Sequence, residues 1–175
     1  MTPFPVSTTT GKDLAVAMLA AASVAVHLLE AALPSLGPWF KPGLANIFTL
    51  VALLTLGWRA ALAVSLLRVV VASLLLGTLF SPTFFFSLAG ALGAVAMLAL
   101  TSRSSLGVVG LSTLASLAHM TAQVAMGQWL FFSNAALFSA LPWFLIGAWL
   151  TGVVNGLLAF VILEKLTTSS WSWQS

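Results

Sequence analysis

Long apolar runs separated by short polar breaks set the rhythm of this chain. After a polar start over residues 1–13, an apolar stretch over 14–33 predicts a first membrane helix. Pro34, Gly37, Pro38 and Pro42 then predict an irregular connection, because proline removes a donor and fixes φ. A second helix is expected to start at Pro42-Gly43, since proline suits a first helical turn, and to run to Gly57. From Leu44 to Gly57 it rises only about 20 Å, against a hydrocarbon core of roughly 30 Å. Two expectations follow: a helix whose amino terminus lies below the outer surface, sheltered by its neighbours because irregular backbone at that depth needs protein or water around it, or an ordinary outer loop followed by a tilted, short helix. Trp58-Arg59 ends it and a third span follows over 60–80. Ser81-Pro82-Thr83 turns into a fourth span reaching about residue 100, and a loop with Arg103 leads to a fifth over 106–131. A sixth covers 135–163, with Pro142 expected to kink it.

Composition agrees with that pattern and narrows the class. At 61% hydrophobic and 5% charged residues, with a mean hydropathy of +1.13, the chain reads as an all-α, multi-pass membrane protein. Its 175 residues accommodate about six spans of ~20 residues and little else. The organisation predicted is one six-helix transmembrane domain over 14–166 between short tails, 1–13 and 167–175. The basic residues orient it. With the amino terminus cytoplasmic, Lys12, Arg59, Arg103 and Lys165 fall inside and only Lys41 outside, so both termini are expected in the cytoplasm of a cell with the protein in its inner membrane. The net charge of +3 has no basic cluster behind it, so nucleic acid is not an expected partner. The absence of cysteine excludes thiol chemistry and thiolate metal sites.

Polar residues inside the spans are expensive in lipid and mark candidate function. His27 and Glu30 share one face of the first span. Asn46 opens the short helix, whose free N–H groups and positive dipole end, with Gly43 and Lys41 beside them, suit an anion. Arg68 lies about eight residues into the third span, roughly 12 Å deep. Ser112, Ser116, His119 and Gln123 form one stripe in the fifth span, and Gly147, Thr151 and Asn155 another in the sixth. Glu30, Lys41, Gly43, Asn46, Arg68, His119, Gln123 and Asn155 are the expected ligand contacts, converging on a cavity open to the outside. The serines, Thr151 and Asn155 also have an ordinary use as glue between helices, and Arg68 has one as an ion pair with Glu30. Ala17, Ala21 and Ala25 form a smooth stripe that permits close helix approach, and Glu30 lies about 180° from Ala21 around the helix. The two faces are therefore opposed, the polar one expected inward and the alanine one open either to a partner protein or to internal packing.

GPWFKPGLANIFTL around Lys41-x-Gly43-Leu44-Ala45-Asn46, GTLFSPTFFFSLAGALG at 77–93 with its Ser81-Pro82-x-Phe84 turn, AHMTAQ at 118–123 and LPWFLIGAWLTGVVNG at 141–156 resemble the Gx transporter family, often labelled heptaprenyl diphosphate synthase component I. The similarity spans nearly all of 30–156, with Met120 where that family usually has asparagine. The family in turn resembles the substrate-binding S components of energy-coupling-factor transporters. That resemblance implies a six-helix bundle with its ligand site near the outer side and an alanine motif on the first helix, here Ala17, Ala21 and Ala25, docking on a transmembrane coupling subunit.

The synthase label meets a chemical obstacle. Prenyl diphosphate synthases hold magnesium through aspartate-rich motifs, and this chain has a single aspartate, Asp13, in its polar start. No nucleophile–base arrangement, phosphate-binding glycine loop or HExxH is present, so a non-enzyme without cofactor or metal is expected. Two readings stay open. One is a substrate-binding membrane subunit for a small anionic or amphipathic molecule, working with separate coupling and ATPase subunits because the chain has no nucleotide-binding motif. The other is a non-catalytic membrane accessory subunit of isoprenoid or quinone metabolism, or of a flavin-linked redox complex.

Overall fold

The computed structural model describes residues 9–32, 43–131 and 136–169. Within them all regular structure is helical: α1 (Thr9–Ala32), α2 (Asn46–Leu56), α3 (Trp58–Leu75), α4 (Pro82–Thr101), α5 (Val108–Phe131), the single turn α6 (Ala136–Ser139) and α7 (Leu141–Ser169). Five of them, α1, α3, α4, α5 and α7, are long and apolar enough to cross a membrane, which makes this a multi-pass membrane protein. α2, expected to be too short to cross on its own, has 11 residues, a rise of about 16 Å.

The short helix is the middle of the bundle. α2 packs against α1, α3 and α7, and also touches α4 and α5, so it meets each of the five long helices. Seven of its residues are buried, among them Ile47, Leu50, Val51, Ala52 and Leu53. A helix that is apolar all round has no surface to give to water, and burial on every side is the consequence. Around it, α5 packs chiefly against α4 and α7, and α3 against α1, α2 and α4. The outward faces are apolar, with Leu14, Met18, Leu74, Leu100 and Leu157 more than half exposed, as a lipid-facing surface requires. Phe80, between α3 and α4, Trp129 near the end of α5 and Trp143 at the start of α7 are exposed, as suits aromatic side chains near a membrane interface. Arg59 stacks over the Trp58 ring, 5.5 Å from its centroid, at the start of α3.

Glycines set the joints and the close contacts. Gly57 alone links α2 to α3, with φ 94°, and its N–H bonds the carbonyls of Ala52 and Leu53. Gly77, at φ 65°, closes α3 as a Schellman motif: its N–H bonds Leu74 O at 3.2 Å and the Thr78 N–H bonds Ser73 O at 2.8 Å. This ends the third helix at Leu75, short of the expected residue 80. In α7, Gly152 and Gly156 lie so near α5 that an added Cβ would sit 2.7 Å from Thr113 Cα and from Val109 Cα, which makes the glycine pair internal packing.

Other boundaries also depart from the sequence expectation. Thr9–Asp13 is the first turn of α1 rather than tail, and α7 continues to Ser169. Gly43 stands outside α2 in a left-handed conformation, φ 64°, and the helix proper begins at Asn46. Pro142 does not kink a long helix. The helix stops at Ser139 and restarts at Leu141, so that proline occupies a first turn where no N–H is needed, and Ala140 O accepts from Trp143 N–H and Phe144 N–H. The loop expected over 34–42, with Lys41, and the Trp171/Trp173 end lie outside the described residues.

Nothing surrounds Gly57 within 4 Å of an added Cβ, so its requirement is conformational alone. Gly57→Ala should lower stability by about 1–3 kcal/mol, the cost of a side chain at this extended, positive-φ backbone, which essentially only glycine adopts. A detergent thermal melt reads this, and an unchanged midpoint would mean that the joint adjusts without Gly57.

Candidate functional site

The amino end of α2 poses a problem in a bilayer, because its first N–H groups and the carbonyls of the turn before it have no water to bond. A 3₁₀ turn answers part of it: Asn46 N–H bonds Gly43 O at 2.9 Å and Ile47 N–H bonds Leu44 O at 3.0 Å. No side chain of the cap residue, Ala45, can help. Side chains from two other helices complete it. Glu30 of α1 accepts from the Leu44 N–H at 2.6 Å. Ser23 of α1 donates to Ala45 O at 2.9 Å, and Asn155 of α7 donates through Nδ2 to Gly43 O at 3.2 Å. Glu30, Ser23 and Asn155 are 7%, 0% and 3% exposed, so these bonds are made out of water, where an unmade one is costly.

Around this turn stand the remaining polar groups. Asn46 and Arg68 are eleven residues either side of Gly57, which brings them level if α2 and α3 run back along each other at equal rise. Arg68 is 4% exposed and its Nε is enclosed without a hydrogen-bond partner. Glu30 acts on it through space, but no ion pair joins the two among the described residues, and the structural ion pair weighed from the sequence is not formed. His119 lies on α5. His119 is half-buried with Nδ1 enclosed and unpartnered. Its other edge meets Gly90 of α4 so closely that a Cβ there would fall 2.6 Å from Cε1 and Nε2, and 2.9 Å from Cγ of Gln123. Gly90 is thus the cradle for both His119 and Gln123.

A cavity between α2, α4 and α5, lined by Asn46, Thr49, Ser112, Ser116, Ala94 and Leu98, offers about 10 Å³ to the centre of a water-sized sphere, room for one water. Arg68, His119 and Gln123 do not line it. Of the residues singled out in the sequence, Glu30, Gly43, Asn46 and Asn155 meet at the α2 turn, His119 and Gln123 lie together against Gly90 of α4, Arg68 is buried on α3, and Lys41 lies outside the described residues. Ala17, Ala21 and Ala25 are exposed on the outward face of α1, opposite Ser23 and Glu30. Thr151 bonds its own helix at Ala148 O, 3.1 Å, and takes no part. Among the described residues no three His, Asp or Glu side chains come together to hold a metal.

Ser23, Gly90, Thr49 and Ser65 do not stand out in the sequence. Ser23 had a signal, since Ser23, His27 and Glu30 recur at four and three residues on one helical face. Gly90 had a weaker one, as a glycine inside a helical run. Thr49 and Ser65, 2% and 1% exposed with unpartnered hydroxyls, had none.

A family model described as heptaprenyl diphosphate synthase component I matches residues 19–162, and the chain belongs to that family. No curated protein and no solved structure matches it significantly. The family's name denotes one component of a synthase, hence a protein that works with partner components.

The three bonds to the α2 turn should rank by charge. Ser23→Ala and Asn155→Ala should each cost about 1 kcal/mol, while Glu30→Ala should cost roughly 1.5–3 kcal/mol, because it removes a charged acceptor and leaves a buried N–H. Chemical or thermal unfolding in detergent gives the order; a Glu30→Ala protein as stable as Ser23→Ala would contradict it.

Proposed function

We propose that this heptaprenyl diphosphate synthase component I family member is the membrane-embedded substrate-binding subunit of an uptake system. It takes a small anionic or amphipathic molecule and depends on separate coupling and ATPase subunits. The observation that supports this most is Arg68. An arginine at membrane depth is costly, and those that persist pair with an acid, face water or serve a ligand. Here Glu30, the buried acid near it among the described residues, is engaged by the Leu44 N–H, and the Arg68 Nε is left without a partner. The positive dipole end of α2 lies on the same side of the bundle, and Asn46, His119, Gln123 and Asn155 add polar groups around it. In this reading Lys41, two residues before Gly43, supplies a second positive charge.

Orientation and docking belong to the same reading. With the helices alternating in direction along the chain, this reading puts Lys12, Arg59, Arg103 and Lys165 at one end of the bundle. The positive-inside bias assigns that end, and both chain termini, to the cytoplasm of the inner membrane. The exposed face of Ala17, Ala21 and Ala25 is a surface on which a helix of the coupling subunit can approach closely.

The family's name favours a second reading, a non-catalytic membrane component of a prenyl diphosphate synthase. In neither reading does this chain carry out chemistry, since its single aspartate, Asp13, cannot form the magnesium site that diphosphate chemistry uses.

Native mass spectrometry of the purified protein separates the two. The substrate-binding reading expects a co-purifying small molecule that Arg68→Gln releases, with a loss of roughly ten- to a hundredfold in affinity for a charge-assisted contact. A ligand-free wild type, or one whose ligand Arg68→Gln leaves untouched, favours the synthase component. Ala21→Trp should abolish co-purification of a coupling subunit while ligand retention persists; loss of both, or of neither, removes the docking role of the alanine face.

A further inference from the structure

We infer that the cavity between α2, α4 and α5 is a built hydration site, in which a single water bridges Thr49 of α2 to Ser112 and Ser116 of α5. That water supplies the polar link between the central helix and α5. It goes beyond the substrate-binding reading and does not depend on it.

Threonine hydroxyls inside helices commonly return to a carbonyl of their own helix. Here Thr55 bonds Val51 O at 2.7 Å, Thr101 bonds Met97 O at 2.7 Å, Thr113 bonds Val109 O at 2.8 Å and Thr121 bonds Leu117 O at 2.8 Å. In each pair the acceptor lies four residues back. Thr49 departs from them. The carbonyl four residues before it is Ala45 O, which accepts from Ser23 of α1 at 2.9 Å instead. The Thr49 hydroxyl is left enclosed and without a partner among the described residues, on a side chain that is 2% exposed. A buried hydroxyl with no bond is costly, and buried polar groups are satisfied either by protein or by ordered water.

The space beside Thr49 has the size and the lining for that water. Asn46 and Thr49 of α2, with Ser112 and Ser116 of α5, bring four polar side chains to a cavity with room for one water. Ala94 of α4 and Ala115 of α5 line it too, and their small side chains leave room that a larger residue would fill. The two serines also meet α7 closely: a Cβ added at Gly152 would lie 3.1 Å from Ser116 Cβ, and one at Gly156 would lie 3.0 Å from Ser112 Cβ. Empty protein cavities are apolar, whereas a polar one of this size holds a water that makes about two to four bonds. An ion fits less well. None of the lining side chains is charged, the positive amino end of α2 beside Asn46 opposes a cation, and a halide is larger than the water the space admits. The polar bonds of the α2 turn run to α1 and α7, and the water gives the helix their counterpart on the α5 side.

The sign of one substitution tests this, read as the melting midpoint of the full chain in detergent. Thr49→Val keeps the shape of the side chain and removes its hydroxyl. If that hydroxyl holds a water, the midpoint should fall by about 2–4 °C, the shift that one hydrogen bond makes in a chain of this size. If it holds nothing, removing an unpartnered buried hydroxyl should raise the midpoint. Ser112→Ala should lower it by a similar amount, and the double variant should lose less than the sum, because the two residues share one partner and have no bond to each other. An unchanged or raised midpoint in Thr49→Val, or strictly additive losses in the double variant, overturns the inference. If Thr49→Val does not fold, the wild type decides. An experimental structure with a water at about 2.7–3.0 Å from Thr49 Oγ1 and from a serine hydroxyl of α5 bears the inference out, and an empty cavity overturns it. A wild-type midpoint that follows the identity of the alkali cation or halide at constant ionic strength assigns the site to an ion and also overturns it. None of these readouts involves the small molecule, so the substrate-binding reading can fail while this inference stands.

Discussion

The bond from the Leu44 N–H to the Glu30 carboxylate is the contact on which the rest of this bundle depends. A helix of 11 residues cannot reach across a bilayer, so one of its ends must be buried with its polar groups exposed to hydrocarbon unless protein satisfies them. Glu30 and Ser23 from α1 and Asn155 from α7 do so, and in doing so they tie the first and last long helices to the middle of the molecule. The polar residues of α1 are therefore not scattered. Ser23 and Glu30 face inward because the α2 turn is where their bonds are, and the opposite face is left to small apolar side chains.

The second constraint is closeness. Lipid is as apolar as leucine, so apolar burial gives helices in a membrane little reason to associate, and fine packing must hold them. α5 is gripped on both sides by glycines, Gly90 and Gly93 of α4 and Gly152 and Gly156 of α7, each too near α5 to admit a side chain. This grip also has a functional side. The same glycine that lets α4 approach, Gly90, is the surface against which His119 and Gln123 lie, so packing and positioning are one arrangement there.

Electrostatics and the family name pull the functional reading in different directions. The name speaks of a synthase, whose substrate is a diphosphate. Among the described residues, the interior of the bundle sets one buried base, Arg68, against one buried acid, Glu30, beside a helix amino end already holding a carboxylate. That balance is suited to a ligand of low charge.

Much of this architecture is legible in the order of residues alone. Hydropathy delimits the long helices to within a few residues, since apolar length is a local property that the bilayer reads directly. The shortness of α2, and hence the burial of its amino end, follows from counting residues between Gly43 and Gly57. The inward polar face and outward alanine face of α1 follow from helical periodicity alone. Other features are decided only by the fold. Gly43 sits outside the helix, Pro142 begins a helix instead of bending one, and Gly77 stops α3 early, because backbone conformation at glycine and proline depends on which hydrogen bonds the neighbours offer. The partner of Glu30 is beyond local reasoning altogether. Periodicity places Glu30 and Arg68 inside the bundle, and opposite charges suggest that they meet. The tertiary structure instead gives the carboxylate to an N–H fourteen residues along the chain, since a backbone donor enclosed at that depth has no water to turn to and no cap of its own.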